Sequence, residues 1–244
     1  MIGVDKRDGI AVVHLDHGKV NAFDLELLQG VTATMHKLTE APAVVLTGRG
    51  SVFSAGVDLR RIVEGGPAYI REFLPALSEA LLAVFDHPRP VVAAINGHAI
   101  AGGCVLAAAC DVRLMSAGTI GLTELLVGVP FPVTVLEVMR FAAGPAIAAL
   151  ALTGRTITPD AACRIGLVNA VVEPDGLLDE ALRRARALAD VAPDAYALTK
   201  EQLHRPTRRL IDECRDLDDP RVTAQWESPA TREAMLAYLA ALTR

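Results

Sequence analysis

The chain has 244 residues, of which 52% are hydrophobic and only 4% aromatic, and it carries a formal net charge of −5. That length suits one large domain, or a domain with a small appendage, around a sizeable core. The acidic balance argues against a general nucleic-acid surface, and no uninterrupted apolar run is long enough to span a bilayer. The opening residues, MIGVDKRDGIAVVHL, contain acids and lack the apolar stretch of a signal peptide, so a cytoplasmic protein without membrane partners is expected.

In chain order, β-rich runs at 10–15, 44–47, 91–95 and 168–172 are interleaved with helical patterns at 24–38, 68–85 and 177–190. Strands alternating with helices argue an α/β fold. Lys19-Val20-Asn21-Ala22 reads as a strand-to-helix turn with Asn21 as its cap. Turn signals fall at Glu64-Gly65-Gly66-Pro67, His87-Pro88-Arg89-Pro90 and Pro174-Asp175-Gly176. Thr158-Pro159-Asp160 reads as a helix start, with Thr158 as cap and Pro159 at the first helical position. Beyond about Ala192 the patterns at 193–203, 206–214 and 229–242 are helical with no strand between them. The expected organisation is a core over 1–191 and a small helical region over 192–244.

Two segments stand out for chemistry: FSAGVDL at 53–59 and INGHAIAGGCVLAAAC at 95–110. Each sets small residues, Ala55-Gly56 and Ala101-Gly102-Gly103, where a strand-like run gives way to a helix-like one. Small residues let a ligand approach the backbone, and the amides of a helix's first turn have no internal partner. Two such amides aimed at one oxygen form an oxyanion hole for a carbonyl that becomes an enolate or alkoxide.

Other chemistries find little support. Cys104, Cys110, Cys163 and Cys214 show no CxxC spacing and read as reduced, buried fillers. The six histidines show no ligand spacing, so no metal site is expected, and His98 reads as a packing or hydrogen-bonded side chain. There is no GxSxG, P-loop or strand-borne GxGxxG.

The two segments, written FSAGVDL and NGHAIAGGCVLAAACDVRL, resemble the signatures of the crotonase superfamily, the enoyl-CoA hydratases and isomerases. The likeness extends in the same order to GKVNAFDLELL, TELLVGVPFP and TGRTITPDAACRIGLVNAVV, and so covers nearly the whole chain. It implies a spiral core of repeated ββα units with a small C-terminal helical region, a homotrimer or homohexamer, and an acyl-CoA thioester substrate with no separate cofactor. By resemblance the oxyanion donors are the amides of Ala55 and Gly102. Ser54, Gly56, Val57, Asp58, Gly103, Val105 and Phe131 fall around the acyl group, and Val20 borders the CoA nucleotide. Asp58 also reads as a helix cap, and Asp111 as a structural acid. Arg60 and Arg61, or Lys200 with Arg205, Arg208 and Arg209, are candidates for the CoA phosphates and equally read as solvated charges.

The family's hydratases share their task between two glutamates. One of those positions is Val105 here, which cannot carry a proton; the other is Glu124. Glu64, Glu72 and Glu137 read better as solvated charges than as substitutes for the missing acid. One carboxylate suffices to shift a 3-enoyl-CoA double bond to the 2-position, and Phe131, where hydratases carry a glycine-rich run, resembles the single-glutamate isomerases. An isomerase is therefore the leading expectation. A hydratase of fatty acid β-oxidation and a catalytically weak acyl-CoA-binding protein remain as alternatives.

Overall fold

The computed structural model describes residues 2–242; Met1 and residues 243–244, the end of the expected C-terminal region, lie outside them. The first elements are an antiparallel hairpin of β1 (Ile2–Arg7) and β2 (Ile10–Leu15). Next comes α1 (Leu25–Lys37), capped by the Asp24 carboxylate, which accepts the Leu27 amide. Asn21, expected as the cap, instead holds φ at 50° and donates its side-chain amide to the Val52 and Phe53 carbonyls. That long-range tie, invisible in the local sequence, moves helix initiation three residues on.

A strand–strand–helical pattern then repeats three times. The first unit is β3 (Val44–Gly48), β4 (Val52–Ser54) and α2 (Leu59–Phe85). The second is β5 (Val91–Ile95), β6 (His98–Ile100) and α3 (Gly102–Ala108). The third is β7 (Val112–Met115), β8 (Ile120–Gly121) and a 3₁₀ turn at Glu124–Val127. Then follow α4 (Val133–Ala143), α5 (Ala146–Thr153), β9 (Thr156–Ile157), α6 (Pro159–Arg164), β10 (Ala170–Val171) and α7 (Leu177–Ala189). The first strand of each unit enters a six-stranded sheet of order β1-β2-β3-β5-β7-β10, and the second enters a four-stranded sheet of order β4-β6-β8-β9. Each unit therefore crosses from one sheet to the other, and its helical segment starts where the second sheet ends.

β3 and β5 are buried along their whole length, as parallel strands covered on both faces must be. Alternate residues serve different cores. Val44, Leu46, Ala93 and Ile95 join the main core with α1 and α2, whereas Val45, Val92 and Ala94 pack with Leu177, Ala181 and Leu182 of α7. The Thr158 cap and the first-turn Pro159 of α6 stand as expected. The strand expected at 168–172 shortens to two residues because the Leu167 and Val168 amides bond back to Ala162.

Two helices differ from the expected pattern. The turn signal before 68–85 is a kink inside α2: Gly66 takes φ 61° and ψ −155°, a region essentially reserved for glycine, and Pro67 restarts the helix. Farther on, 193–203 and 206–214 belong to one 34-residue helix, α8 (Pro193–Trp226), which runs through Pro206 and Pro220. An interior proline costs about 3 kcal/mol. Here that cost is offset by a buried face of His204, Thr207, Ile211, Val222 and Trp226, and by the Lys200–Asp111 ion pair at 2.9 Å. α8 and α9 (Pro229–Leu242) fold back onto α2 and α4. Among the described residues no helix is long and apolar enough to cross a membrane.

Candidate active site

The two glycine-bearing segments meet where β4 and β6, parallel neighbours, release their chains into α2 and α3. Gly56 turns the first segment at φ 79°. A methyl group on it would lie 2.6 Å from the Ile100 carbonyl and 3.1 Å from the Gly102 nitrogen, so the backbones touch and only glycine fits. In the second segment Ala101 takes φ 52°, a strained value for a residue with a side chain. It is held there because its amide donates to the Gly121 carbonyl and its own carbonyl accepts from Val105.

The amides along 55–58 are not equivalent. Ala55 donates to the Val20 carbonyl at 2.9 Å, Gly56 to Ser54 Oγ at 3.1 Å, and Asp58 to the Phe23 carbonyl at 2.9 Å. Val57 forms a parallel bridge with Phe23, a geometry that turns its own N–H away from that partner. Among the described residues the Val57 amide has no acceptor, and neither has that of Gly102, the first residue of α3. The expectation that Ala55 supplies an oxyanion donor is therefore corrected: its amide is engaged, and the free donor lies two residues on, at Val57. The Gly102 amide is free, as its expected role requires.

Ala55 and Val57, with Ala101 just before Gly102, border a cavity of about 510 Å³ whose lining also includes Val20, Glu124 and Trp226. Glu124 opens the 3₁₀ turn and is only 8% exposed. Its Oε2 finds no hydrogen-bond partner. Burial pushes its carboxyl up from 4.5 to about 8, with the backbone amides of Glu124 and Thr123 countering weakly. A half-satisfied carboxyl beside a cavity costs stability, and perturbed groups of this kind cluster at reactive sites.

Other expected residues sit nearby in structural roles. Ser54 is fully buried and its hydroxyl donates to the Asn21 carbonyl, while Asp58 caps α2 and also borders the cavity. Gly103 packs against Ser54, whose carbonyl would lie 2.5 Å from any Cβ placed there. Val105 is fully buried in the main core, and Phe131 is also a core residue rather than part of the cavity wall. Phe131 had been expected at the acyl group. Instead the wall is completed by Trp226 at the end of α8 and by Tyr238 and Leu239 of α9, far along the chain. The stretch AMLAYLAAL reads from sequence as a generic apolar stripe, and nothing local marked Trp226.

Among the other candidates, Glu64 and Glu72 are exposed, and Glu137 pairs with Arg140. His98 is exposed and accepts the Thr119 amide. Asp111 ties the Val91 amide to Lys200, the structural role expected of it. Burial drives the Cys104 thiol far above its ordinary value, which removes it as a nucleophile at neutral pH. Of the basic candidates, Arg61 pairs with Glu26, Arg205 with Glu201, Arg208 with Asp86 and Arg209 with Glu213. Arg60 borders the cavity and, among the described residues, pairs with no carboxylate.

Comparison with known proteins identifies the family. The family description "Enoyl-CoA hydratase/isomerase" matches residues 5–243. The mitochondrial enoyl-CoA delta isomerase 1 of Rattus norvegicus is 32% identical over 240 residues, covering 95% of this chain and 83% of its own. The short-chain-enoyl-CoA hydratase of Clostridium acetobutylicum is 29% identical over 243 residues, covering 97% and 93%. The crystal structure of human mitochondrial delta3-delta2-enoyl-CoA isomerase superposes with a TM-score of 0.93 at 27% identity, covering 99% of this chain and 98% of that one. With the expected crotonase fold in place and the match running almost end to end, the chain belongs to the enoyl-CoA hydratase/isomerase family.

Proposed function

We propose that the chain is an isomerase that converts a 3-enoyl-CoA into the conjugated 2-enoyl-CoA. The thioester oxygen lies between the Val57 and Gly102 amides. Glu124 as carboxylate removes a proton from C2, the electron pair passes to the thioester oxygen as a dienolate, and the same carboxyl returns the proton at C4. The negative charge of the dienolate is matched by the two amide donors, a pairing worth about 3 kcal/mol per donor in comparable sites.

One observation carries this reading: a single buried carboxyl with an unpartnered oxygen borders the cavity, and its expected second partner is the core residue Val105. A carboxyl near 8 is a far better match to a weakly acidic C–H than one near 4.5, at the cost of being about one-tenth ionised at pH 7. The likeness to the rat and human isomerases supports the same reaction. Arg60 at the cavity edge suits a CoA phosphate. The oligomer implied by family resemblance and the cytoplasmic location expected from the sequence belong to the same proposal; Leu203, Leu210 and Leu217 stand exposed at seven-residue spacing on α8, an apolar line suited to subunit contact.

A hydratase is the second reading, favoured by the likeness to the clostridial enzyme. Absorbance of the conjugated thioester separates the two. Gain of absorbance from a 3-enoyl-CoA, with little loss from a 2-enoyl-CoA, is the expected result; the reverse pattern means hydration.

A further inference from the structure

We infer that Trp226 is the floor of the acyl pocket and limits the enzyme to short acyl chains by closing off a second cavity behind it. The inference rests on the acyl-CoA reading of the site and adds to it the length of chain accepted.

The second cavity, about 500 Å³, shares no lining residue with the first. The two are nonetheless adjacent through three separate pieces of chain. Along α8, Val222 and Thr223 line the rear cavity, while Trp226, one turn on and on the same face as Val222, lines the front one. In the loop before α4, Val129 lines the front and Pro132 the rear. On α2, Leu74 lines the rear, and its neighbour Phe73 packs against the indole with ring centroids 6.3 Å apart. All three pieces of chain meet at Trp226.

The indole is also fixed in place. It is 3% exposed, and its Nε1–H donates to the Pro130 carbonyl at 2.9 Å, between the two cavities' loop residues. A rigid, hydrogen-bonded ring is a poor candidate for moving aside when a long chain arrives. Behind it the rear cavity is apolar on the side formed by Leu74, Leu82, Pro132 and Val222 and charged on the side formed by Glu79, Arg215, Asp216 and Asp219, so a longer acyl chain would lie along the apolar side.

This is the chain's only tryptophan, so its emission reports on the floor directly. Free CoA and a series of saturated thioesters, butyryl-CoA to tetradecanoyl-CoA, are titrated while tryptophan fluorescence and calorimetric affinity are followed. Free CoA is expected to leave the emission unchanged, and acyl chains long enough to touch the ring are expected to alter it. Affinity should climb by up to about fourfold per methylene until the floor is reached and fall beyond it. In Trp226→Ala the break should move to chains several methylenes longer, and adding Val222→Phe, which fills the rear cavity, should move it back. Trp226→Leu serves where the alanine variant fails to fold by circular dichroism, and the fluorescence of the unaltered protein stands by itself. The inference is overturned if long and short chains bind alike, if the emission ignores the acyl group, or if the break stays put in the variants. Because saturated thioesters cannot isomerise, thioesters that bind while 3-enoyl-CoA goes unturned would sink the isomerase reading and leave this one standing.

Discussion

Replacing Glu124 by Gln tests the proposed base through two independent observables. In the unfolded chain the Glu124 carboxyl ionises near 4.5, and in the fold near 8. Between those values the folded state holds a proton that the unfolded state has lost, so stability falls as pH rises from 4.5 to about 8 and is level above that. The whole interval corresponds to about 5 kcal/mol, a large part of the 5–15 kcal/mol of a typical domain. Glutamine carries no such charge. The stability of Glu124→Gln relative to the natural chain should therefore rise by about 1 kcal/mol at pH 5, 3 at pH 7 and 5 at pH 9, relative to the low-pH limit. The glutamine amide, if left without a partner, shifts all three values down by about 1–3 kcal/mol but leaves the slope intact. Denaturant titrations at the three pH values read that slope. In parallel, kcat/KM for a 3-enoyl-CoA should rise with pH to a midpoint near 8, and the variant should lose about 10²–10⁴-fold in kcat while binding CoA thioesters almost unchanged. A flat difference in stability across pH, or a variant that still isomerises at the natural rate, refutes the assignment.

Gly56→Ala should be severe, since the methyl group would meet the Ile100 carbonyl at 2.6 Å and push the Val57 and Gly102 segments apart; a loss of about 10²–10³-fold in kcat, with a lowered melting temperature, is expected. Val105→Glu buries an acid in the main core, so thermal melts should show a clear drop and absorbance assays no new hydration; appearance of hydration would restore a two-glutamate mechanism. Cys104 and Cys110 should resist iodoacetamide in the folded protein at pH 8, because burial raises both thiols, the latter to about 12; mass spectrometry should find label on the partly exposed Cys163 and Cys214 first.

How much of this was readable in advance depended on whether each residue's role is local. Thr158 and Pro159 begin a helix for reasons confined to four residues, and structure and expectation agree there. The strands 10–15 and 91–95 carry their burial in their own composition. Glu124 came from motif register, and its burial and orphaned oxygen then gave it a physical reason to be unusual. The choice between Ala55 and Val57 could not be made locally, because it depends on the Phe23 bridge and the Val20 carbonyl, both more than thirty residues away. Asn21 lost its expected capping role to the same kind of distant tie. Pro206 looked like a helix start because a proline's local cost is visible in sequence, whereas the buried face that offsets it along α8 is not. Phe131 and Trp226 both belong to the main core, yet only Trp226, brought back from the end of α8, also reaches the cavity wall, a placement that depends on packing between elements far apart in the chain.

The groups assigned to the proposed chemistry and the far wall of the cavity come from different parts of the chain. Val57 follows β4, Gly102 opens α3 after β6 and Glu124 opens the 3₁₀ turn after β8, three strands of the four-stranded sheet, while Trp226, Tyr238 and Leu239 arrive from the two closing helices. On the proposed reading, substrate range and reaction type thus lie on separable mutational axes. On that reading, substitutions in α8 and α9 can alter the acyl group accepted while leaving the two backbone donors and Glu124 where the strands of the smaller sheet place them.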